Sequence, residues 1–538
     1  MKIRSVSALE DELKTFLTNP HTANNLKEAV LKAKQILEEK KNSNYALYAI
    51  ALHDVCVANK VAPMADYTQA IENFKHLIKI DPKFIEAYLM LIKIYREVDR
   101  DKEYELLIKA NKVFPEHYLI MFDLANLMCF KTGEKEKGLE LFSKCVQKLP
   151  MVDTAWAALG SAYLLNRNLE MALKCFETSL AINPENLTST LGVGVYHFEH
   201  ANFKEARNYY EKSLMINKDS FWATFNISLL NLLEGDYENG LKVYEKRNKD
   251  QFLKKYGGCQ YPEIQRDEVE KGTNEKIVVL REQGFGDDIM FSRYLKPLKN
   301  IGYDVHFACP PELIEFFKLS PDLDEINISS TIQPIHFNYR TFLMSLPWIT
   351  SNFVKGKIGK PISIDWNRFD KSKVKVSNKI KNALDSKNLK VGFAWSGKPT
   401  HLRDQVRTMD VSLFGNLFDS KNADFFSLQK FSKKEDLKFL EKYKNVYNCE
   451  ADLKDFLHTA YLVNEMDVIL TIDTSLVHMS GTLGKKTFLF LPLVPDFRWG
   501  LNKNQEWYPN LELLRQAKID DWTQPVKEAK KLIKKLSS

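Results

Sequence analysis

The sequence predicts an α-helical solenoid followed by an α/β half of two lobes, and three observations carry that prediction. Prolines recur at Pro82, Pro115, Pro150 and Pro184, at intervals of 33, 35 and 34 residues, and Lys218 falls one further step of 34 along. A fixed period of this size marks stacked helix pairs, each too small to bury its apolar face alone. After about residue 275 the pattern changes to short apolar runs that end in glycine or turn residues. These runs alternate with helical stretches, which argues for parallel sheets covered by helices.

A chain of 538 residues, 44% hydrophobic and 12% aromatic, has material for several cores. We expect about three folding units of roughly 100–200 residues each. The 77 Lys and Arg exceed the 70 Asp and Glu by 7, and the two signs are interspersed, so no nucleic-acid partner is expected. The main basic cluster, Lys527 to Lys535, reads as a solvated helix face, with weak attraction to an anionic membrane surface as the alternative. The seven cysteines, Cys56, Cys129, Cys145, Cys175, Cys259, Cys309 and Cys449, are odd in number and form no C-x-x-C pair, so they read as reduced core residues. Glu10, Asp11 and Glu12 precede any apolar run, and no stretch approaches the roughly 18 apolar residues of a membrane span. The expected location is the cytoplasm, with no membrane span.

The boundaries read as follows: a solenoid over 1–248, a connector over 249–275, a first lobe over 276–387 and a second over 388–538. In the clearest repeat, Trp156, Leu159, Gly160 and Tyr163 precede Ala172, Phe176 and Pro184. Large residues there fill the space between helices, Gly160 and Ala172 let two backbones approach, and Pro184 begins the next unit. This unit resembles the tetratricopeptide repeat position by position. About six helix pairs are expected, including segments near 5–18, 23–41 and 44–59. The connector is read from Gly257, Gly258, Pro262 and Gly272 set among charges. Strands are expected at Ile277–Leu280, Val305–Ala308, Val391–Trp395, Phe425–Leu428, Val468–Ile472 and Thr487–Leu491, and a Lys- and Asn-rich gap near 370–388 divides them into two Rossmann-like lobes.

In doubly wound sheets, ligands bind at the carboxyl ends of the strands, so polar groups just after a strand are candidates. Glu282-Gln283-Gly284-Phe285-Gly286-Asp287 follows the first strand, where Gly284 and Gly286 would let backbone approach a substrate and Asp287 would face the cleft. Ile289 stands where a dinucleotide fingerprint needs its third glycine. A tight turn with Asp287 or Asp288 as helix cap explains the same residues. Asp473-Thr474-Ser475, with His478 one turn on, opens a helix whose free N–H groups suit a diphosphate. Asp473 would repel that anion, so it reads as a cap or as an acceptor for sugar hydroxyls, and His478 reads equally as a packed core histidine. Trp395-Ser396-Gly397-Lys398, with His401, Arg403, Asp404, Arg407 and Thr408, offers cations for phosphate at another strand exit, or is only a solvated loop. Ser427-Leu428-Gln429-Lys430 has the same placement. Two other matches fail on context. Gly484-Lys485-Lys486-Thr487 runs into a strand where a phosphate loop needs a helix. Asp322-Leu323-Asp324 spells D-x-D but sits in an ordinary turn after Pro321, so no metal is expected.

Taken together, Glu282 to Asp287, Trp395-Ser396-Gly397, Arg407, Ser427-Leu428-Gln429, Asp473-Thr474 with His478, and Arg498-Trp499 before Trp507-Tyr508-Pro509 resemble bacterial tetratricopeptide-repeat glycosyltransferases, whose catalytic half is related to the lipopolysaccharide heptosyltransferases. The resemblance runs from about Ile277 to Trp522. It implies a GT-B fold, metal-independent inversion at the sugar carbon, no cofactor, and a nucleotide sugar as donor. It implies Asp287 as catalytic base. The resemblance and the strand-exit placement together give as substrate-binding candidates Gln283, Gly284, Gly286, Ser396, Gly397, Arg407, Gln429, Lys430, Asp473, Thr474, Ser475 and His478, with Ser475 and Met479 standing where relatives often have small or leucine residues. Members of this architecture include flagellin glycosyltransferases, which transfer a nonulosonic acid from its CMP-activated form to a protein recruited by the repeats. The short first lobe, without lipid-binding character, speaks against a lipopolysaccharide acceptor. A repeat scaffold with an inactive transferase half, or a transferase acting on a lipid-linked glycan, are the other readings. On these boundaries a cut near Lys255 would separate recruitment from catalysis.

Overall fold

The period set by the prolines is realised as helices. The computed structural model describes residues 6–17, 23–59, 66–247, 249–269, 274–350, 358–399, 401, 403–502 and 506–538. Asn248, at the expected end of the repeats, and Gly272 of the connector lie outside the described residues. The chain forms two compact units, Met1–Gly192 and Val193–Ser538.

In the first unit, helices Val6–Leu17, Ala23–Glu39 and Asn44–Asn59 coincide with the three unsigned helical segments of the sequence. Helix Asp153–Leu165 packs on helix Leu169–Ile182 through the small residues expected there. The buried Phe176 ring fills the space left by two glycines: a Cβ at Gly160 would lie 2.6 Å from it, and one at Gly192 only 2.4 Å. Polar ties fix the spacing of successive helices, since the Asp153 carboxylate accepts from the side-chain amides of Asn183 (2.8 Å) and Asn186 (2.7 Å). Among the described residues fourteen α-helices run from Val6 to Tyr244, one pair more than the expected six.

The second unit opens within helix Leu187–Glu199, continues through helices Phe203–Ile216, Phe221–Glu234 and Tyr237–Tyr244, and contains both sheets. The first sheet holds β1 (Lys276–Leu280), β2 (Asp304–Ala308), β3 (Asn327–Ser329) and β4 (Tyr339–Phe342), in the order β3-β2-β1-β4 and parallel throughout. The second holds β5 (Leu389–Phe393), β6 (Ala423–Ser427), β7 (Val446–Asn448), β8 (Val468–Ile472), β9 (Lys486–Leu491) and β10 (Leu511–Arg515). Its order is β10-β9-β8-β5-β6-β7, again parallel. Counted from β5 this is the doubly wound arrangement 3-2-1-4-5-6, whose ligand crevice lies where the winding reverses, between β5 and β8.

All six strands expected from the sequence form. The four additional ones, β3, β4, β7 and β10, are the edges of the two sheets. An inner strand is covered on both faces and reads as an unbroken apolar run. An edge strand is half exposed, as the mixed burial of Leu511–Arg515 shows, and leaves no such run. The final helix, Thr523–Leu536, buries Val526, Ala529 and Ile533 while its lysines remain outside.

Truncating the ring held between Gly160 and Gly192 removes a large buried side chain. Phe176→Ala is expected to cost about 3–5 kcal/mol of local stability. Hydrogen exchange of amides within 154–192 checks this, and protection equal to wild type would contradict it.

Candidate functional site

The turn after β1 is built by its own carboxylates. Gly284 caps helix Phe285–Phe291, and its N–H donates to the Asp287 Oδ2 at 2.9 Å. Asp288 points the other way, is 1% exposed and accepts from the Arg281 Nε at 2.9 Å. Burial pushes the Asp288 carboxyl up to about 7, with Arg281 opposing. The helix cap is thus Gly284 and not Asp287 or Asp288; Asp287, three residues on, closes the turn with one oxygen, which leaves the second oxygen of that carboxylate free of the turn. That oxygen pairs with the Arg498 guanidinium, which comes from the second lobe.

The opposing wall is the exit of β8. Thr474 caps helix Ser475–Thr482 by accepting from the Leu476 N–H at 3.4 Å. The two walls touch: a Cβ on Gly286 would lie 2.7 Å from the His478 ring and 3.4 Å from the Ser475 Cα. No side chain other than hydrogen fits at position 286 without displacing them. The lobes also meet where Phe285 packs against Phe456, with ring centroids 4.9 Å apart, and where Arg293 donates to the Trp507 carbonyl at 3.0 Å.

His478 is 4% exposed, lies 3.2 Å through Nδ1 from the Tyr508 hydroxyl, and stacks on Trp499. Burial holds its pKa well below the usual histidine range, and the guanidinium groups of Arg498, Arg293 and Arg407 add to that effect. The imidazole is therefore neutral near pH 7, so it serves the site by packing and hydrogen bonding, not by charge. Burial raises the Asp473 carboxyl to about 6; Asp496 adds repulsion, while Arg498 and Arg407 oppose the rise.

The exits of β5 and β6 are tied together by Gln429. Its Oε1 accepts from the Trp395 and Ser396 N–H groups at 3.1 and 3.0 Å, and its Nε2 donates to the Ser396 carbonyl at 3.0 Å. At 4% exposure, Gln429 shapes the loop from inside. A Cβ at Gly397 would meet the Asp404 carboxylate at 2.2 Å and the Arg407 guanidinium at 2.6 Å, so a larger residue there would displace both side-chain ends. Arg407 donates to the Asp473 carbonyl at 2.6 Å, which joins this loop to the β8 exit. Lys430 turns elsewhere, with its ammonium engaged by the Leu453 carbonyl. Gln283 is exposed and donates to the Tyr244 hydroxyl at 3.2 Å.

The structure thus brings together Gly284, Gly286, Asp287, Gly397, Arg407, Asp473, Thr474, Ser475 and His478. Gln429 and Ser396 act behind them. The central residue absent from the predicted set is Arg498, whose side chain is 10% exposed. Burial works to lower its pKa, but the carboxylates of Asp496, Asp287 and Asp473 outweigh it and hold the charge in place. Its sequence signal was the Arg498-Trp499 pair after β9. Asp322 and Asp324 are both bound to cations, to Lys296 at 2.7 Å and to Arg368 at 2.6 Å. Among the described residues no group of three or more His, Cys, Asp or Glu side chains is placed to hold a metal ion.

A family model described as a tetratricopeptide repeat matches residues 154–186. This segment is a tetratricopeptide repeat. The repeat contains the Phe176 and Gly160 contact described above. Among solved structures the chain is similar to PilW, described as a widely conserved type IV pilus biogenesis factor, at 16% identity over 39% of this chain and 96% of that one, with a TM-score of 0.32. It is also similar to YrrB, described as a TPR protein with an unusual peptide-binding site, at 18% identity over 37% and 98%, with a TM-score of 0.30. A third is pilF of Pseudomonas aeruginosa, at 16% identity over 40% and 93%, with a TM-score of 0.31. Comparison with curated proteins gives no match.

The raised Asp473 carboxyl sets a pH dependence. Its folded pKa of about 6 lies above the unfolded value near 3.9, so its contribution to stability is complete below pH about 4 and is lost as pH rises through about 6. The melting temperature of Asp473→Asn relative to wild type is therefore expected to rise between pH 4 and pH 7. A difference that stays flat or falls over that range would contradict the assignment.

Proposed function

We propose that the chain is a metal-independent glycosyltransferase of inverting GT-B type, moving a sugar from a nucleotide-activated donor to a Ser or Thr hydroxyl of a protein held by the repeats. The observation that carries this reading is the pairing of Asp287 on the first lobe with Arg498 on the second, where Gly286 meets the capped helix start at Ser475 and Arg407 holds the Asp473 carbonyl. Asp287 and that helix start lie at carboxyl ends of parallel strands, where this architecture binds ligands.

The chemistry assigned to the site is as follows. The acceptor hydroxyl displaces Arg498 from Asp287 and gives its proton to that carboxylate as its oxygen bonds to the anomeric carbon. The bond from that carbon to the phosphate oxygen breaks, and the electron pair leaves with the nucleotide. Arg407, the released Arg498 and the N–H groups at the start of helix Ser475–Thr482 stabilise the departing charge. The finer version, with a CMP-activated nonulosonic acid as donor and flagellin as acceptor in the cytoplasm, rests on the sequence resemblance alone.

One observation favours the scaffold alternative: the Asp287 carboxylate is already neutralised by Arg498 and capped by Gly284. Calorimetric titration of the full chain with UDP, GDP, ADP and CMP and their common sugar conjugates separates the two. Binding of at least one supports the transferase, and no heat from any supports the scaffold. With the donor so identified, Asp287→Asn is expected to slow transfer by roughly 10²–10⁴-fold, the worth of general-base help. Transfer at the wild-type rate would remove Asp287 from the mechanism.

A further inference from the structure

The catalytic turn is held from behind by a residue outside both lobes. Arg247 lies three residues beyond helix Tyr237–Tyr244 and is 6% exposed. Its Nε and Nη2 donate to the two oxygens of Glu282 at 2.6 and 2.7 Å, a bidentate pair with a carboxylate that is 5% exposed. Nη2 also donates to Ser345 at 2.8 Å, and Nη1 donates to the Tyr244 carbonyl at 3.2 Å and to Glu245 at 2.8 Å. All five guanidinium donors are satisfied, so the group has one geometry and cannot be replaced by lysine without loss.

Glu282 is the residue before Gln283-Gly284, and Gly284 anchors Asp287. The same helical segment reaches this turn a second way, because the Tyr244 hydroxyl accepts from Gln283 at 3.2 Å. It also reaches the opposite wall: the Tyr244 ring lies 6.1 Å from that of Phe497, the neighbour of Arg498. Further up the helical stack Glu199 pairs with Arg403, which donates to the Val494 carbonyl at 3.2 Å. The turn 282–287, the loop 403–407 and the loop 494–498 are thus each gripped by a side chain from residues 199–247.

We infer that Arg247 is a positioning residue for the Asp287 turn, and that the last helices before the connector form the back wall of the site and not a detachable arm. On this inference a cut near Lys255 would take Arg247 and Tyr244 from the site and so would not separate recruitment from catalysis. The inference rests on the transferase reading only in calling the 282–287 turn catalytic.

The test is hydrogen–deuterium exchange on the full-length chain, comparing wild type, Arg247→Met and the milder Tyr244→Phe. In Arg247→Met, amides over 281–291 are expected to exchange at least about tenfold faster, with 154–186 unchanged, as for a locally opened segment. In Tyr244→Phe, which deletes one hydroxyl, the same amides are expected to exchange about 2–3-fold faster. For the donor found by calorimetry, kcat of Arg247→Met is expected to fall roughly tenfold or more while KM for that donor stays within about twofold, because misplacement of a reacting group costs rate before affinity. Exchange over 281–291 equal to wild type in both variants would overturn the inference, as would a kcat that does not fall. Should the wild-type chain turn over no donor, the transferase reading fails and the exchange pattern alone decides this one.

Discussion

A guanidinium removed from water must be met by carboxylates, and Arg498 is met from both lobes. Its partners are Asp287 on the first lobe and Asp496 on its own, with the field of Asp473 close behind. Leaving the Arg498 guanidinium, 10% exposed, without its carboxylate partners would cost on the order of 3–5 kcal/mol, so the lobes stay together while the arginine is in place. The arrangement of the site follows from satisfying that one cation. Asp287 is pinned by the Gly284 N–H on one oxygen and by Arg498 on the other, and the two strand exits are drawn into contact across Gly286.

The residues around this pair divide by what burial does to their charge. His478 is kept neutral, so it packs against Trp499 and Gly286 without adding to the positive field of three arginines. Burial raises the Asp473 carboxyl to about 6, so it is mostly ionised near pH 7, and its charge is opposed by Arg498 and Arg407 beside the helix start. On the proposed reading Arg407, Arg498 and the start of helix Ser475–Thr482 supply the positive field that meets an anionic leaving group.

Much of this was legible because inner strands and repeat helices announce themselves. Ile277–Leu280, Val468–Ile472 and Thr487–Leu491 are apolar runs buried on both faces, and Gly160 with Phe176 is a helix-pair signature with one steric explanation. The edge strands β3, β4, β7 and β10 lack that pattern because each is only partly buried. The candidate side chains that follow inner strands, Asp287, Gly397, Thr474 and His478, were found through those strands. Arg403 and Arg498 were named from the sequence but their pairings, like the whole role of Arg247, were not legible, because those depend on partners 204, 211 and 35 residues away. No local spacing encodes such pairs. Lys430 shows the opposite error: a cation at a strand exit invites a ligand role, yet its ammonium satisfies a backbone carbonyl.

The central claim is that Arg498 and Asp287 are energetically coupled across the lobes. A double-mutant cycle of Asp287→Asn and Arg498→Gln, read by chemical denaturation of the full chain, measures that coupling directly. The account predicts an interaction energy of about 0.5–3 kcal/mol, the range for residues in contact within one salt-bridge network. Strictly additive effects, within about 0.3 kcal/mol, would mean that the two residues do not hold each other and that the site described here is not the one the chain uses.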